Sequence, residues 1–145
     1  MSEAFPAPTG YEITTDVSRF DLDVIHRFLS EESYWAAGRP RAIQDRLIDE
    51  AARVVGLYHR GRQVGFCRAA TDGVSFVYLA DVYVLADYRG RGLGEALVRE
   101  IVESEPLASL KWLLHTTDTH PLYRKLGFTE PTFKVMERIP PGTPA

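Results

Sequence analysis

Apolar positions along this chain recur with two periods, and each period predicts its own elements. YEITTD (11–16) alternates as a short strand. RFDLDVIHRFLSEE (19–32) sets Phe20, Val24, Ile25, Phe28 and Leu29 on one helical face, with Ser18 as a candidate N-cap. SYWAAGRP (33–40) interrupts, and RAIQDRLIDEAA (41–52) resumes helical spacing through Ile43, Leu47, Ile48 and Ala51. RVVGLYH and QVGFCRAAT then flank Arg60-Gly61-Arg62, a hairpin signal. A second hairpin is expected at Asp72-Gly73, leading into VSFVYLADVYVL (74–85). That run is nearly continuously apolar, the pattern of a strand buried on both faces.

Helical spacing returns in EALVREIVESEP, where Ala96, Leu97, Ile101 and Val102 share a face and Pro106 ends the helix. SLKWLLHTT (109–117) reads as another buried strand. HPLYRKLGF (120–128) reads as a short helix stopped by Gly127, and TFKVMER (132–138) alternates as a final strand. The order βααβββαβαβ predicts one α/β domain, a mixed sheet flanked by helices, over residues 11–139. A flexible Pro/Gly-rich lead-in over 1–10 and a tail over 140–145 complete the organisation.

Composition changes this picture little. The chain has 145 residues, 45% of them hydrophobic and 26% charged, which suits one globular domain. A net charge of −3 gives no reason to expect nucleic acid or an anionic membrane as partner. The single Cys67 excludes an internal disulfide, offers no metal-ligand cluster and reads as apolar filler within a strand. No apolar run approaches the ~18 residues needed to span a bilayer, and the first ten residues lack a signal-like pattern. A soluble, cytoplasmic protein without a metal site is therefore expected.

The stretch that carries chemistry is RGRGLG (89–94), three glycines at a helix entrance. Glycine weakens a helix by ~1 kcal/mol relative to alanine, so three here serve a tight turn or a close backbone approach. Between a buried strand and a helix, such a loop aims several N–H groups and the positive helix end at one point, an anion site suited to phosphate. Arg89 and Arg91 could add charge to it or simply face solvent. The spacing fits neither G-x-G-x-x-G nor G-x-x-x-x-G-K-[ST], which disfavours a dinucleotide or triphosphate site of those kinds.

Val84, Arg89, Gly92 and Gly94 together resemble the V-x-x-x-x-R/Q-x-x-G-x-G/A signature of the GNAT N-acetyltransferase superfamily. LYRKLGF (122–128) is similar to its L-Y-x-K-x-G-F segment, and the element order covers nearly the whole chain. Two positions depart from the pattern: Ala86, where proline is frequent, and Thr116, where asparagine is frequent. The resemblance implies acetyl-CoA as donor, with its pyrophosphate on the amides of Arg89, Gly90, Arg91, Gly92, Leu93 and Gly94. It also implies a bulged strand that splays from its neighbour, so that the pantetheine arm pairs with the backbone of Val82, Tyr83 and Val84. Homodimers are common in the superfamily, which leaves that assembly open here.

Acetyl transfer to an amine needs a neutral nucleophile, a held oxyanion and a proton for the departing thiolate. By the resemblance Tyr123 is the general acid; the plain alternative is a core aromatic. Asp81, a carboxylate inside an apolar strand, reads as general base, ammonium anchor or buried salt-bridge partner. His120 lies three residues before Tyr123 and reads as a proton carrier or as a helix cap ahead of Pro121. Glu31, Tyr34 and Trp35, with Glu32 beside them, fall where the family builds its acceptor pocket, although Trp35 equally suits core packing. The expected activity is acetyl-CoA-dependent acetylation of a primary amine, on a small molecule, in a ternary complex. A non-catalytic acyl-CoA-binding regulatory domain and a protein lysine or N-terminal acetyltransferase are the alternatives.

Overall fold

Two hairpins build most of the sheet in the computed structural model, which describes residues 7–117 and 120–142, apart from the His120 side chain. Strands β2 (Arg53–His59) and β3 (Arg62–Thr71) turn through Arg60 and Gly61, whose φ values of 52° and 80° suit the mirror-image turns that hairpins favour. Strand β4 (Phe76–Val84) returns from β3 through a loop in which the Asp72 carboxylate accepts from the N–H groups of Val74 and Ser75 at 2.9 and 2.8 Å. Strand β1 (Tyr11–Thr14) pairs antiparallel with β2, and β5 (Lys111–Leu113) pairs parallel with β4. The sheet is mixed, in the order β1-β2-β3-β4-β5.

Each face of the sheet carries its own apolar cluster. On one face, helix α3 (Leu93–Glu103) buries Leu93, Leu97, Val98, Ile101 and Val102 against Val55, Leu57, Val64, Cys67, Val77, Leu79 and Val84. Helix α4 (His120–Lys125) packs partly against the same cluster through Leu122 and Tyr123. On the other face, α1 (Leu22–Arg27) and α2 (Arg41–Glu50) cover Val54, Tyr58, Phe66 and Tyr83 with Ile25 and Ile48, helped by Phe20, Phe28, Leu29 and Ala36. The expected single α/β domain is observed, and Cys67 is fully buried as expected, with burial pushing its thiol pKa up.

Several local expectations change. The first helix is capped by Asp21, whose side chain accepts from Val24 N–H; Ser18 sits in a preceding 3-10 turn capped by Asp16. The helix then widens into a π turn over Phe28–Glu32, which Ser33 closes by donating its N–H to Phe28 at 3.1 Å. In α2 the buried positions are Gln44 and Ile48, while Ile43 is exposed. The apolar count at positions 43, 47, 48 and 51 misjudged the phase because Arg39 donates to Gln44 Oε1 at 2.9 Å and makes a polar inward residue tolerable.

Strand β4 is not buried on both faces: Tyr78, Ala80 and Val82 are only half-buried, since they border a cleft. Regular β5 pairing covers three residues of the expected 109–117. The expected strand over 132–138 is irregular, and Phe133, Val135 and Met136 are exposed. That segment pairs with no strand among the described residues, and alternation alone buries nothing.

Candidate active-site cleft

The cleft opens where β4 and β5 part. Their pairing runs only over Phe76–Lys111, Val77–Trp112 and Tyr78–Leu113, so β4 continues from Leu79 to Val84 with its β5-side edge unpaired among the described residues. Antiparallel pairing with β3 continues on the other side but skips a step, from Arg68–Ala80 to Phe66–Tyr83. Asp81 and Val82 therefore oppose Cys67 alone, and Asp81 takes the left-handed conformation, φ 56°. This is a bulge, and aspartate is among the residues that tolerate its backbone geometry.

The bulge inverts the facing of everything after it. Val77 and Leu79 face α3, and so does Val84, whereas Tyr83 joins the α1/α2 cluster and stacks on Phe28 with ring centroids 4.1 Å apart. Its buried hydroxyl has no hydrogen-bond partner among the described residues.

Beyond Val84 the glycine turn closes one end of the cleft. Gly90 and Gly92 both have φ of 77°, and a Cβ at either would meet nothing within 4 Å, so the turn needs their backbone freedom and leaves space above them. Gly94 has a different reason: its Cβ would come within 3.1 Å of Leu122 Cδ1, which marks the close approach of α3 and α4. The first bond within α3 is Ala96 N–H to the Gly92 carbonyl at 3.2 Å. The N–H groups of Leu93, Gly94 and Glu95 thus project from the helix start as donors. Arg89 does not reach over this space; its Nε donates to the Val84 carbonyl at 3.0 Å and ties the turn to the strand end. Arg91 Nη2 lies 3.4 Å from the Asp87 carbonyl. Tyr123, half-buried, lines the cleft beside Leu122 and packs edge-on against Phe128 at 5.7 Å.

The opposite end is made of side chains. Asp81, almost completely buried, accepts from Arg39 Nη1 at 2.8 Å and Arg68 Nε at 2.7 Å on Oδ2. Its Oδ1 accepts from Trp35 Nε1 at 2.9 Å and Arg39 Nη2 at 3.3 Å. Burial alone would raise the Asp81 pKa; the Arg39 hydrogen bonds and the charges of both guanidinium groups outweigh it and hold the carboxyl below its ordinary range. Of the roles open to Asp81 from sequence, the salt bridge is the one formed here. Trp35, 42% exposed, is not packed in the core: it donates to Asp81 and borders the cleft. Tyr34 stands edge-on to it, and its hydroxyl lies 3.1 Å from Thr117 Oγ1. Glu32 lines the cleft; Glu31 is exposed and is not part of the lining. The His120 side chain lies outside the described residues.

Several lining residues were missed from sequence, Arg39 and Arg68 among them, and three others form a chain. The Tyr78 hydroxyl is hydrogen-bonded to His115 Nδ1, and His115 Nε2 lies 3.3 Å from Glu137 Oε2. Burial raises the Tyr78 pKa, Glu137 adds to the rise and Arg68 opposes it. A carboxylate only accepts, so Glu137 fixes Nε2 as the protonated nitrogen and leaves Nδ1 to accept from Tyr78. No local motif marks this chain: its members come from β4, from the end of β5 and from the irregular C-terminal segment.

The whole cleft, about 1230 Å³, fits a long ligand with an anionic end. The N–H cradle at α3 suits a pyrophosphate, and the unpaired edge of β4 suits an extended amide-bearing arm, the two demands of acetyl-CoA. No group of His, Cys, Asp and Glu able to hold a metal occurs among the described residues. No helix there is long and apolar enough to cross a membrane.

Comparisons with known proteins agree with this geometry. Residues 50–130 match the family model described as the acetyltransferase (GNAT) domain. A protein of Gibberella zeae named as an acetyltransferase is 30% identical over 143 residues, covering 83% of this chain and 80% of its own. The crystal structure of a Xanthomonas campestris pv. campestris protein, named as a GNAT-family acetyltransferase, superposes with a TM-score of 0.84 at 41% identity. It covers 94% of this chain and 97% of its own. A Deinococcus radiodurans structure shares the fold at 22% identity, with a TM-score of 0.72 and 94% of both chains covered.

Proposed function

The chain belongs to the GNAT acetyltransferases, and from that premise we propose that it carries acetyl from acetyl-CoA directly to a primary amine of a small molecule within a ternary complex. The observation that carries this reading is the open β4 edge running into the donor-rich start of α3. In this reading the amides of Leu93, Gly94 and Glu95, with the turn before them, hold the pyrophosphate, and the backbone of Val82, Tyr83 and Val84 holds the pantetheine arm as an added strand. Acetyl-CoA supplies the activated acetyl group as a thioester.

The protein's own task is to move protons. At pH 7 a primary amine of pKa ~10.4 is neutral in only about one molecule in a few thousand, a cost of roughly 4.6 kcal/mol. Asp81 suits this task poorly, since two guanidinium groups hold it ionised and engaged; it positions Trp35, Arg39 and Arg68 instead. The Tyr78–His115–Glu137 chain suits it better. Tyr78 takes the amine proton at its oxygen as its own passes to His115 Nδ1, and Glu137 stabilises the imidazolium. On the other side Tyr123 donates to the departing sulfur. A phenol of pKa ~10 and a thiol of ~8.5 differ by only about 2 kcal/mol, a gap that a hydrogen-bonded transfer can cross. A strand amide near Val82 holds the developing oxyanion.

Thiol release from acetyl-CoA, followed across amines, amino acids and peptides, tests the reading. Turnover on small amines, with kcat reduced at least tenfold in Tyr123→Phe and in His115→Ala, is expected. Turnover confined to peptides would replace the small-molecule acceptor. Unchanged kcat in Tyr123→Phe would remove the acid assignment.

A further inference from the structure

We propose that the acceptor is an amine that also carries a carboxylate, bound through the outer nitrogens of Arg68. The proposal rests on the acetyltransferase reading and specifies its substrate class. Arg68 stands on β3 opposite Ala80, and its side chain is only 14% exposed, yet it borders the cleft. A guanidinium has five N–H donors. Arg68 spends the one on Nε, on Asp81 at 2.7 Å, and Nη1 and Nη2 meet no acceptor among the described residues. Arg39, the other guanidinium of the cluster, spends three of its five donors: Nη1 donates to both Gln44 and Asp81, and Nη2 to Asp81. Two positive groups thus share one buried carboxylate, leaving a net positive charge in a confined space. The four unspent donors on the Arg68 fork suit the two oxygens of a planar carboxylate.

The neighbours agree with an acceptor bearing both charges. Ala70 pairs with Tyr78 as Arg68 pairs with Ala80, so Tyr78 is the diagonal neighbour of Arg68 across the β3–β4 ladder. A carboxylate on Arg68 therefore brings the amine of a short molecule towards Tyr78, His115 and Glu137. Glu32 and Glu137, both exposed carboxylates on the lining, favour an approaching ammonium and disfavour a second acid. Tyr34 and Trp35 leave an exposed aromatic wall beside the cluster for the rest of the molecule.

The test compares matched acceptors on the wild-type enzyme: α-, β- and γ-amino acids, each against its primary amide and its decarboxylated amine. Rates are expressed per concentration of neutral amine, because removing the carboxylate changes amine basicity. A kcat/KM at least tenfold higher for the acids is expected, in keeping with a charge-assisted pair in a partly dry site. In Arg68→Gln the acid-to-amide ratio should fall towards one, and in Arg68→Lys, which keeps charge and loses the fork, it should lie between. Equal or faster turnover of the amides by the wild type overturns the proposal while leaving the acetyltransferase reading intact, and needs no variant to fold. If no amine turns over, calorimetric titration of the same amino acids in the presence of CoA decides. Binding that is lost in Arg68→Gln supports the proposal, and absent or carboxylate-independent binding overturns it. Failure of CoA to raise the melting temperature would instead strike the donor site.

Discussion

The two ends of the cleft are built by different means. The glycine-turn end is built from backbone: free N–H groups at α3, an open strand edge, and glycines whose left-handed φ shapes the turn. The opposite end is built from side chains delivered by the loop before α2, by β3 and β4, by the segment after β5 and by the C-terminal segment. Backbone recognition depends on shape and tolerates side-chain drift. Side-chain recognition depends on particular groups, each of which one substitution removes. Within one family the first manner suits a shared donor and the second suits acceptors that vary.

Substitutions can break that contrast or sharpen it. The largest effect is expected for Asp81→Ala, which strands two poorly exposed guanidinium groups; breaking a buried pair costs about 3–5 kcal/mol, read as a drop in unfolding free energy in urea. The same carboxylate sets an acid limit. Its folded pKa lies below the unfolded one, so its contribution is fully present above the unfolded value and is lost as pH falls through the folded value. Wild-type melting temperature should therefore decline on acidification below the ordinary aspartate range, and Asp81→Asn should flatten that decline.

Gly92→Val comes next. A side chain at φ 77° costs about 1–2 kcal/mol, more when β-branched, and the distortion falls on the donor cradle. CoA affinity by calorimetry should weaken at least tenfold. An unchanged affinity would mean that the turn does not hold the pyrophosphate. Trp35→Phe removes the donor to Asp81 Oδ1 and should raise acceptor KM severalfold, with CoA affinity held within about twofold. Equal losses for both ligands would show the two ends to be coupled. The smallest effect belongs to Tyr83→Phe. Its hydroxyl is buried without a partner among the described residues, so removing it should leave thermal stability unchanged or raised by up to about 1 kcal/mol; a clear loss would reveal a bound water there.

The same division explains what could be read from the sequence. The donor end is contiguous, so Val84, Arg89, Gly92 and Gly94 announced it, as LYRKLGF announced α4. What they did not announce is that Gly94 also lets α3 and α4 approach and that Arg89 binds the strand end. The acceptor end is scattered over about a hundred residues and has no local pattern. Asp81 stood out because a carboxylate in an apolar strand needs an explanation, but its partners Arg39 and Arg68 looked like ordinary surface charges. Tyr78 and His115 were hidden for a similar reason: each is unremarkable until β4 and β5 part. The expected strand at 132–138 failed because period 2 reports a preference for alternating exposure, while a strand also requires pairing, which this segment does not make among the described residues.

Counted along β4, the bulge at Asp81 and Val82 acts as a change of phase. Before it, odd-numbered residues face α3; after it, even-numbered ones do. Deleting Asp81 would restore plain alternation, leaving Val82 and Val84 on the α3 side and Tyr83 on the side of α1 and α2, but it would remove the carboxylate that Trp35, Arg39 and Arg68 share. A deletion of equal size in the Asp72–Gly73 loop would disturb neither face. The extra residue of the bulge thus adds a carboxylate to the cleft without disturbing either apolar cluster, and its loss should spare both clusters while undoing the side-chain network around it.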